Sequence, residues 1–143
     1  MLIGSFQHNI DPKGRLFIPA KWREDLGANF VITKGAEQCL IAMSMEEWDK
    51  ISAKIALIPI ADRAGQMFVR HFMQWASDCT LDKQGRILIS QKLRTFAQLE
   101  GELTLIGLNK RIEIWNNDIL NKLENDMAGD YNEIMQKAAE WGI

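Results

Sequence analysis

The chain has 143 residues, of which 47% are apolar and 25% are charged. This balance is typical of a globular protein made of one domain or of two joined half-domains, and it excludes a chain that is disordered throughout. The longest apolar runs are too short to cross a bilayer, and the N-terminus lacks a basic region followed by an apolar stretch. We therefore expect a cytoplasmic protein with no membrane partner.

The charges are unevenly distributed along the chain. The net charge of −2 argues mildly against a nucleic-acid partner. Residues 82–94, however, carry one acid and four bases, whereas residues 116–143 carry six acids and two bases. A chain polarised in this way can present a positive face while it remains soluble.

A tight turn follows the first predicted strand, which covers about residues 3–10. The sequence D-P-K-G at 11–14 is typical of a type I turn with a glycine bulge, a common hairpin connection. Asp11 suits the first position because its carboxylate can accept hydrogen bonds from backbone N–H groups ahead of it, and Gly14 suits a position with positive φ. A second strand is predicted at 15–18.

Two helices and two strands complete this unit. Pro19 suits the first turn of a short helix, which Gly27 ends. The strands FVITK and CLIAM precede a second helix, where Ser44 and Glu47 have the spacing of a capping box. A third helix is predicted at 62–75 from the periodicity of its apolar residues.

The sequence aligns with itself when it is shifted by 71 residues. The pairs that match without a gap are Asp11 with Asp82, Gly14 with Gly85, Arg15 with Arg86, Ile18 with Ile89, Lys21 with Lys92 and Arg23 with Arg94. A duplication of this kind predicts two half-units that are related by a pseudo-twofold axis and complete one core.

The second copy predicts the same elements as the first. A strand at about 76–81 leads into the turn D-K-Q-G, and a strand at 86–89 precedes a helix capped by Ser90. The strands ELTLIG and RIEIW then lead to a helix from about Asn117. The predicted organisation is a first repeat (1–57), a bridging helix (58–75), a second repeat (76–125) and a C-terminal helix (126–143).

Two D-x-x-x-R motifs, Asp11–Arg15 and Asp82–Arg86, each carry a glycine before the arginine. With GRLFIPAKWR in the first copy and ELTLIGLNKRIEIW in the second, they resemble the MraZ family of bacterial transcriptional regulators. The resemblance covers about residues 1–117. Ser90 stands where the first copy has Pro19, but both residues suit a helix start.

The resemblance implies an α+β fold with two pseudo-symmetric SpoVT/AbrB-like swapped-hairpin β units, short helices and a C-terminal helix. It also implies a sequence-specific DNA-binding regulator that assembles into a ring of several subunits. Such a ring would bind direct repeats in the promoter of its own operon, the division and cell wall cluster, and repress or tune that operon at the nucleoid. The implied partners are double-stranded DNA and further copies of the chain, with no cofactor and no small-molecule substrate.

Arg15 and Arg86 have two interpretations. Each can be a solvated cation paired with Asp11 or Asp82, and a surface pair of this kind is worth about 0–1 kcal/mol. Each can instead enter the major groove on a twisted hairpin, where the guanidinium fork binds O6 and N7 of guanine. The residues alone leave both interpretations open, and the resemblance favours DNA contact. The residues expected to stabilise the turns without touching DNA are Asp11, Gly14, Asp82 and Gly85.

A shell of cations that contact phosphate is expected around the two turns. Its members are Lys13, Lys21, Arg23, Lys83, Lys92 and Arg94. Because each copy offers few cations, one subunit should bind DNA weakly, and a ring should bind several repeats at once through multivalency.

No sequence pattern predicts an enzyme or a metal site. The chain lacks the nucleophile-elbow, zinc-protease and P-loop patterns, and turn chemistry explains Asp11 and Asp82 more simply than catalysis does. Cys39 and Cys79 are isolated, so we expect reduced, buried thiols. His71 is expected to be structural.

The alternative is an AbrB-like interaction or assembly protein such as an antitoxin. Antitoxins usually carry a disordered tail that binds the toxin. The end of this chain instead predicts an amphipathic helix, because its apolar residues repeat at intervals of three and four. We expect that helix to pack between subunits.

Overall fold

The computed structural model describes residues 1–143, except for the side chain of Ala128. The first half of the chain contains β1 (Ser5–Ile10), β2 (Arg15–Phe17), α1 (Ala20–Leu26), β3 (Asn29–Lys34), β4 (Leu40–Ser44) and α2 (Met45–Ile55), followed by the predicted bridging helix, α3 (Arg63–Trp75). The second half contains β5 (Ser77–Thr80), β6 (Arg86–Leu88), α4 (Gln91–Ala97), β7 (Gly101–Gly107), β8 (Arg111–Asn116) and α5 (Asn117–Met127), followed by a 3₁₀ turn (Ala128–Asp130) and the C-terminal helix α6 (Tyr131–Glu140). The predicted α+β class and the duplicated order of elements are confirmed.

The two repeats exchange their first strands. The main sheet is antiparallel and has the order β1-β7-β8-β4-β3-β5. β1 pairs with β7, and β5 pairs with β3, so each first strand extends the half-sheet of the other repeat. β4 pairs with β8 at the centre and joins the two halves. The strand exchange explains why both copies are needed for one core.

The turn at 11–14 connects its strands differently from the regular hairpin that the sequence predicts. The N–H of Gly14 donates to the carbonyl of Asp11 at 2.9 Å, and Gly14 has a φ of 89°, as expected for the turn. Beyond the bond from the N–H of Asp11 to the carbonyl of Arg15, however, β2 leaves β1 and pairs with β6. The reason is that the other repeat binds the end of β2: the N–H of Ile18 donates to the carbonyl of Gly85 at 3.0 Å.

The helix starts follow their local signals. The hydroxyl of Ser44 accepts from the N–H of Glu47 at 3.3 Å, and the hydroxyl of Ser90 accepts from the N–H of Leu93 at 3.4 Å. The predicted short helix α1 buries Trp22. Among the residues that the structure describes, no helix is both long enough and apolar enough to cross a membrane.

The two-stranded β2–β6 ribbon shares the main hydrophobic core. Leu16 and Ile87, which pair at its centre, are 0% and 1% exposed and belong to the same buried cluster as sheet residues such as Ile32 and Leu105. Side chains alternate across a strand, so the neighbours of these two residues lie on the outward face. The core therefore fixes which face of the ribbon is available to a partner.

Substitutions at adjacent ribbon positions should separate the buried face from the outward face. We expect Ile87→Ala to lower the free energy of unfolding by about 2–5 kcal/mol, because it leaves a cavity in the core. Leu88→Ala, at a side chain that is 65% exposed, should change it by less than about 1 kcal/mol. Urea denaturation of both variants measures the difference. Equal losses of stability would contradict the alternation of buried and outward side chains in the ribbon.

Candidate nucleic-acid interface

In the first turn, one carboxylate holds both the backbone and the arginine. The Oδ1 atom of Asp11 accepts from the backbone N–H groups of Lys13 at 3.0 Å and Arg15 at 2.9 Å. Its Oδ2 atom accepts from the Nε of Arg15 at 2.6 Å. The sequence predicted a turn-stabilising role for Asp11, and in the structure the same carboxylate also orients the guanidinium group.

The second turn repeats this arrangement. The Oδ1 atom of Asp82 accepts from the backbone N–H groups of Gln84 and Arg86, both at 2.9 Å, and its Oδ2 atom accepts from the Nε of Arg86 at 2.8 Å. Both ion pairs are partly exposed, so each adds little to stability by itself. Each ion pair instead orients its arginine, which is held at Nε and directed outward from its turn.

The hydrogen bonds also keep the two carboxylates ionised. The backbone N–H of Arg15 lowers the pKa of Asp11, and the Arg15 side chain adds to this effect. The backbone N–H of Arg86, with the Arg86 side chain, lowers the pKa of Asp82 in the same way. Each carboxylate therefore keeps its charge, and its hold on the arginine, at any pH above the usual range of an aspartate.

The two arginines lie on one outward face of the ribbon. Arg15 is directly opposite Leu88, and Phe17 is directly opposite Arg86, while Leu16 and Ile87 point into the core between them. Opposed residues in an antiparallel pair lie on the same face. The structure thus brings together two arginines that are far apart in sequence, and it adds two exposed apolar residues that the sequence analysis did not single out. The alternation around the buried pair was the signal that could have found them.

Arg23 and Arg94 have a second set of contacts, which the sequence analysis did not predict. The Nε of Arg23 donates to the carbonyl of Ile18 at 2.9 Å, and the Nε of Arg94 donates to the carbonyl of Ile89 at 2.9 Å. Each guanidinium also covers the turn of the other repeat. A Cβ atom added to Gly85 would overlap the guanidinium group of Arg23.

The equivalent contact on the other side involves Gly14. A Cβ atom added there would lie 2.6 Å from the Nε of Arg94 and 2.8 Å from the carbonyl oxygen of Ile89. Both glycines are favoured by their positive φ, and at Gly14 the nearby carbonyl of Ile89 also leaves no room for a side chain. Arg23 and Arg94 fasten the turns, whether or not they also contact phosphate.

The predicted lysines differ in how far they are already engaged. Lys13, Lys21 and Lys83 are exposed on or beside the turns and α1. The Nζ of Lys92, in contrast, donates to the carbonyl of Gln74 at 3.3 Å and lies 4.2 Å from the centre of the Trp75 ring. Among the lysines of the predicted shell, Lys92 is therefore the one that would have to leave existing contacts to reach a phosphate.

Among the described residues, neither the thiols nor the metal-binding residue types point to a second site. Cys39 and Cys79 are free and buried, and burial raises the pKa of each thiol to about 12. Thiols with such a pKa are protonated and unreactive at neutral pH. Within the described part of the chain, no three His, Cys, Asp or Glu side chains are grouped to hold a metal ion.

Exchange of arginine for lysine should reveal the fastening role of Arg23. Arg23→Lys keeps the positive charge but removes the Nε–H bond to Ile18 and the planar group over Gly85, so we expect the free energy of unfolding to fall by about 1–3 kcal/mol. Lys21→Ala on the same helix is the control and should change it by less than about 0.5 kcal/mol. Urea denaturation measures the change. If Arg23→Lys is as stable as the native chain, only the positive charge of Arg23 matters and the fastening role is contradicted.

Comparison with known proteins assigns the chain to a family. A family model described as "MraZ protein, putative antitoxin-like" matches residues 1–71 and again residues 72–139. The chain is 43% identical over 143 residues to the transcriptional regulator MraZ of Alkaliphilus metalliredigens, with 100% of both chains covered. It is 45% identical over 143 residues to that of Pelotomaculum thermopropionicum, with 100% of this chain and 99% of the relative covered. The chain belongs to the MraZ family.

Proposed function

We propose that the chain regulates transcription by binding DNA sequence-specifically, with the outward face of the β2–β6 ribbon in the major groove. The observation that carries this proposal is the pair of arginines, Arg15 and Arg86, that two aspartates direct from one face of a single ribbon. Two relatives that align over the whole chain are named transcriptional regulators, which supports the regulatory role. No catalytic step is part of the proposal.

The ribbon has two strands and carries the chemistry for base readout. The major groove is about 12 Å wide and admits a two-stranded β-ribbon. Each arginine uses Nε to bind its aspartate, which leaves the two Nη groups for the O6 and N7 acceptors of a guanine. Because the side chain is already held in place, less conformational entropy is lost on binding. Asp11 and Asp82 act as positioning residues and do not contact DNA.

The surrounding cations supply contacts to phosphate. Lys13, Lys21 and Lys83 are exposed and free to move to the DNA backbone. Arg23, Lys92 and Arg94 are held by other groups and contribute mainly through their charge. Contacts of this kind raise affinity without selecting a sequence, and each one makes binding more sensitive to salt.

We further propose that several copies assemble and bind several DNA repeats together, as the family resemblance implies for a ring. The C-terminal helix α6 supports self-assembly, because its residues are exposed except for the half-buried Ala138. Its exposed side chains include Tyr131 and Ile134, and the exposed Trp141 directly follows its last residue. An apolar helix face of this kind usually packs against a partner. The operator would be direct repeats in the promoter of the chain's own division and cell wall operon, and the protein would act at the nucleoid.

An interaction or assembly protein is the second candidate. The family description contains the words "antitoxin-like", and the exposed apolar residues of α6 would suit a protein partner as well as a second copy. The two candidates make different demands on the ribbon, because an interaction protein has no need for two outward arginines in equivalent positions. DNA-binding measurements therefore separate them.

Loss of the two arginines should abolish the recognition of guanine. We expect Arg15→Ala with Arg86→Ala to bind the chain's own upstream DNA at least tenfold more weakly, because a bidentate contact to guanine is worth about 1–3 kcal/mol. Arg15→Lys with Arg86→Lys keeps the charge and should keep the weak, salt-sensitive binding to any DNA. Fluorescence anisotropy at a series of salt concentrations measures both the sequence-specific affinity and the salt-sensitive affinity for any DNA.

Two controls accompany this test. Lys110→Ala removes an exposed cation from the turn between β7 and β8, outside the ribbon, and should bind as the native chain does. The mass of the assembly in solution must be the same for all variants. Unchanged binding by the double alanine variant would contradict base readout by the arginines. Absence of specific binding by the native chain would favour the interaction protein.

Affinity should depend on the number of repeats in the DNA. If weak contacts are multiplied by assembly, a duplex with several repeats should bind at least tenfold more tightly than a duplex of equal length with one repeat. Ile134→Asp, which puts a charge on the exposed apolar face of α6, should reduce both the assembly mass and this ratio, whereas Lys137→Ala should change neither. Equal affinity of the native chain for both duplexes would contradict multivalent binding.

A further inference from the structure

We infer that Phe17 and Leu88 are base-reading residues that contact the 5-methyl groups of thymines in the major groove. This inference rests on the proposed function, because it assigns a role to the remaining side chains of the same ribbon face. It is carried by the register of the ribbon, by the exposure of the two side chains and by the chemistry of the groove.

The register places each apolar residue beside an arginine. Leu88 is directly opposite Arg15, and Phe17 is directly opposite Arg86, so arginines and apolar side chains alternate around the outward face. Opposed side chains in an antiparallel pair have Cβ atoms about 4.5–5.5 Å apart. Since base pairs are spaced by 3.4 Å, an arginine on a guanine brings its apolar neighbour to a base pair one or two steps away.

Exposure distinguishes these residues from the apolar side chains that stabilise the fold. Phe17 is 42% exposed and Leu88 is 65% exposed, whereas Leu16 and Ile87 between them are almost completely buried. A single exposed apolar residue is common on protein surfaces and needs no explanation. Here, however, two occupy equivalent positions of the repeats, next to the residues proposed to bind DNA.

The major groove offers one apolar group to such side chains. Its base edges carry hydrogen-bond donors and acceptors, together with the C5-methyl group of thymine. Phe17 and Leu88 have no polar atom in their side chains, so they cannot read the donors or acceptors. Contact with thymine methyl groups is the readout that their chemistry allows.

The two residues differ in one respect that determines the test. The guanidinium carbon of Arg86 lies 5.8 Å from the centre of the Phe17 ring, so Phe17 also helps to position an arginine. Leu88 has no aromatic face and cannot support Arg15 in this way. A change at Leu88 therefore removes an apolar contact and leaves both arginines in place.

Removal of the thymine methyl group tests the inference directly. Duplexes enriched by the native chain from a random-sequence library are synthesised again with deoxyuridine in place of thymidine, which removes the methyl group and keeps the base pairing. We expect the native chain to bind the uracil duplex about fourfold more weakly for each methyl group contacted. Leu88→Ala should reduce this penalty, and Leu88→Ala with Phe17→Ala should bind both duplexes equally.

Leu57→Ala is the matched control, because Leu57 is 82% exposed and lies outside the ribbon. It should keep the full difference between the two duplexes. Equal binding of both duplexes by the native chain, or enriched sequences without thymine, would overturn the inference and leave the proposed function intact. A difference that persists in the double alanine variant would also overturn it, since it would come from the shape of the duplex. Failure to enrich any sequence would overturn the proposed function as well.

Discussion

The rest of this structure depends on one constraint, which is that each turn is bound by the opposite repeat. The N–H of Ile18 binds the carbonyl of Gly85, and the N–H of Ile89 binds the carbonyl of Gly14 at 2.9 Å. Each turn is then covered by an arginine from the other repeat. Each turn is therefore held by backbone and side-chain contacts from the opposite repeat as well as by its own hydrogen bonds. The same bonds direct β2 and β6 towards each other and set their register.

Within that frame, the aspartate of each motif combines two functions that usually need separate residues. Its Oδ1 atom accepts the backbone N–H groups of the turn, while its Oδ2 atom orients the arginine. This arrangement places a negative charge near the position where phosphates would approach. The low pKa of the carboxylate shows that the local N–H groups and the guanidinium stabilise that charge. The turn therefore keeps a directed cation, and in the proposed function the exposed lysines would supply the excess of positive charge that DNA requires.

The parts of the fold that sequence could predict are those determined by local chemistry. The turn glycines and the serine caps depend on residues within a few positions of one another, and each of them was predicted from such residues. The exchange of β1 and β5 was expected from the family resemblance, and residue patterns did not indicate it. A strand of three residues such as β2 alternates too briefly to identify its partner.

The contact between Arg23 and Gly85 was harder to predict, because it joins residues that only the strand exchange brings together. The equal spacing of the cations in both copies suggested a shared role, and their positive charge suggested phosphate as the target. The structure adds a role in fastening the turns, which depends on the planar guanidinium group as well as on its charge. Sequence reasoning identified the candidate residues, whereas the different contacts of the individual cations became visible only in three dimensions.

The duplication within one chain has a consequence for recognition. A homodimer with two identical halves presents the same side chains to both half-sites, and its operators reflect that symmetry. Here Arg15 and Arg86 keep the symmetry, but the equivalent positions 17 and 88 hold phenylalanine and leucine. The turn tips differ as well, since Lys13 is equivalent to Gln84. Because the two halves are fused in one chain, equivalent positions of the ribbon can carry different side chains, and its two ends become distinguishable. A protein needs such a difference if it is to bind successive repeats in the same orientation.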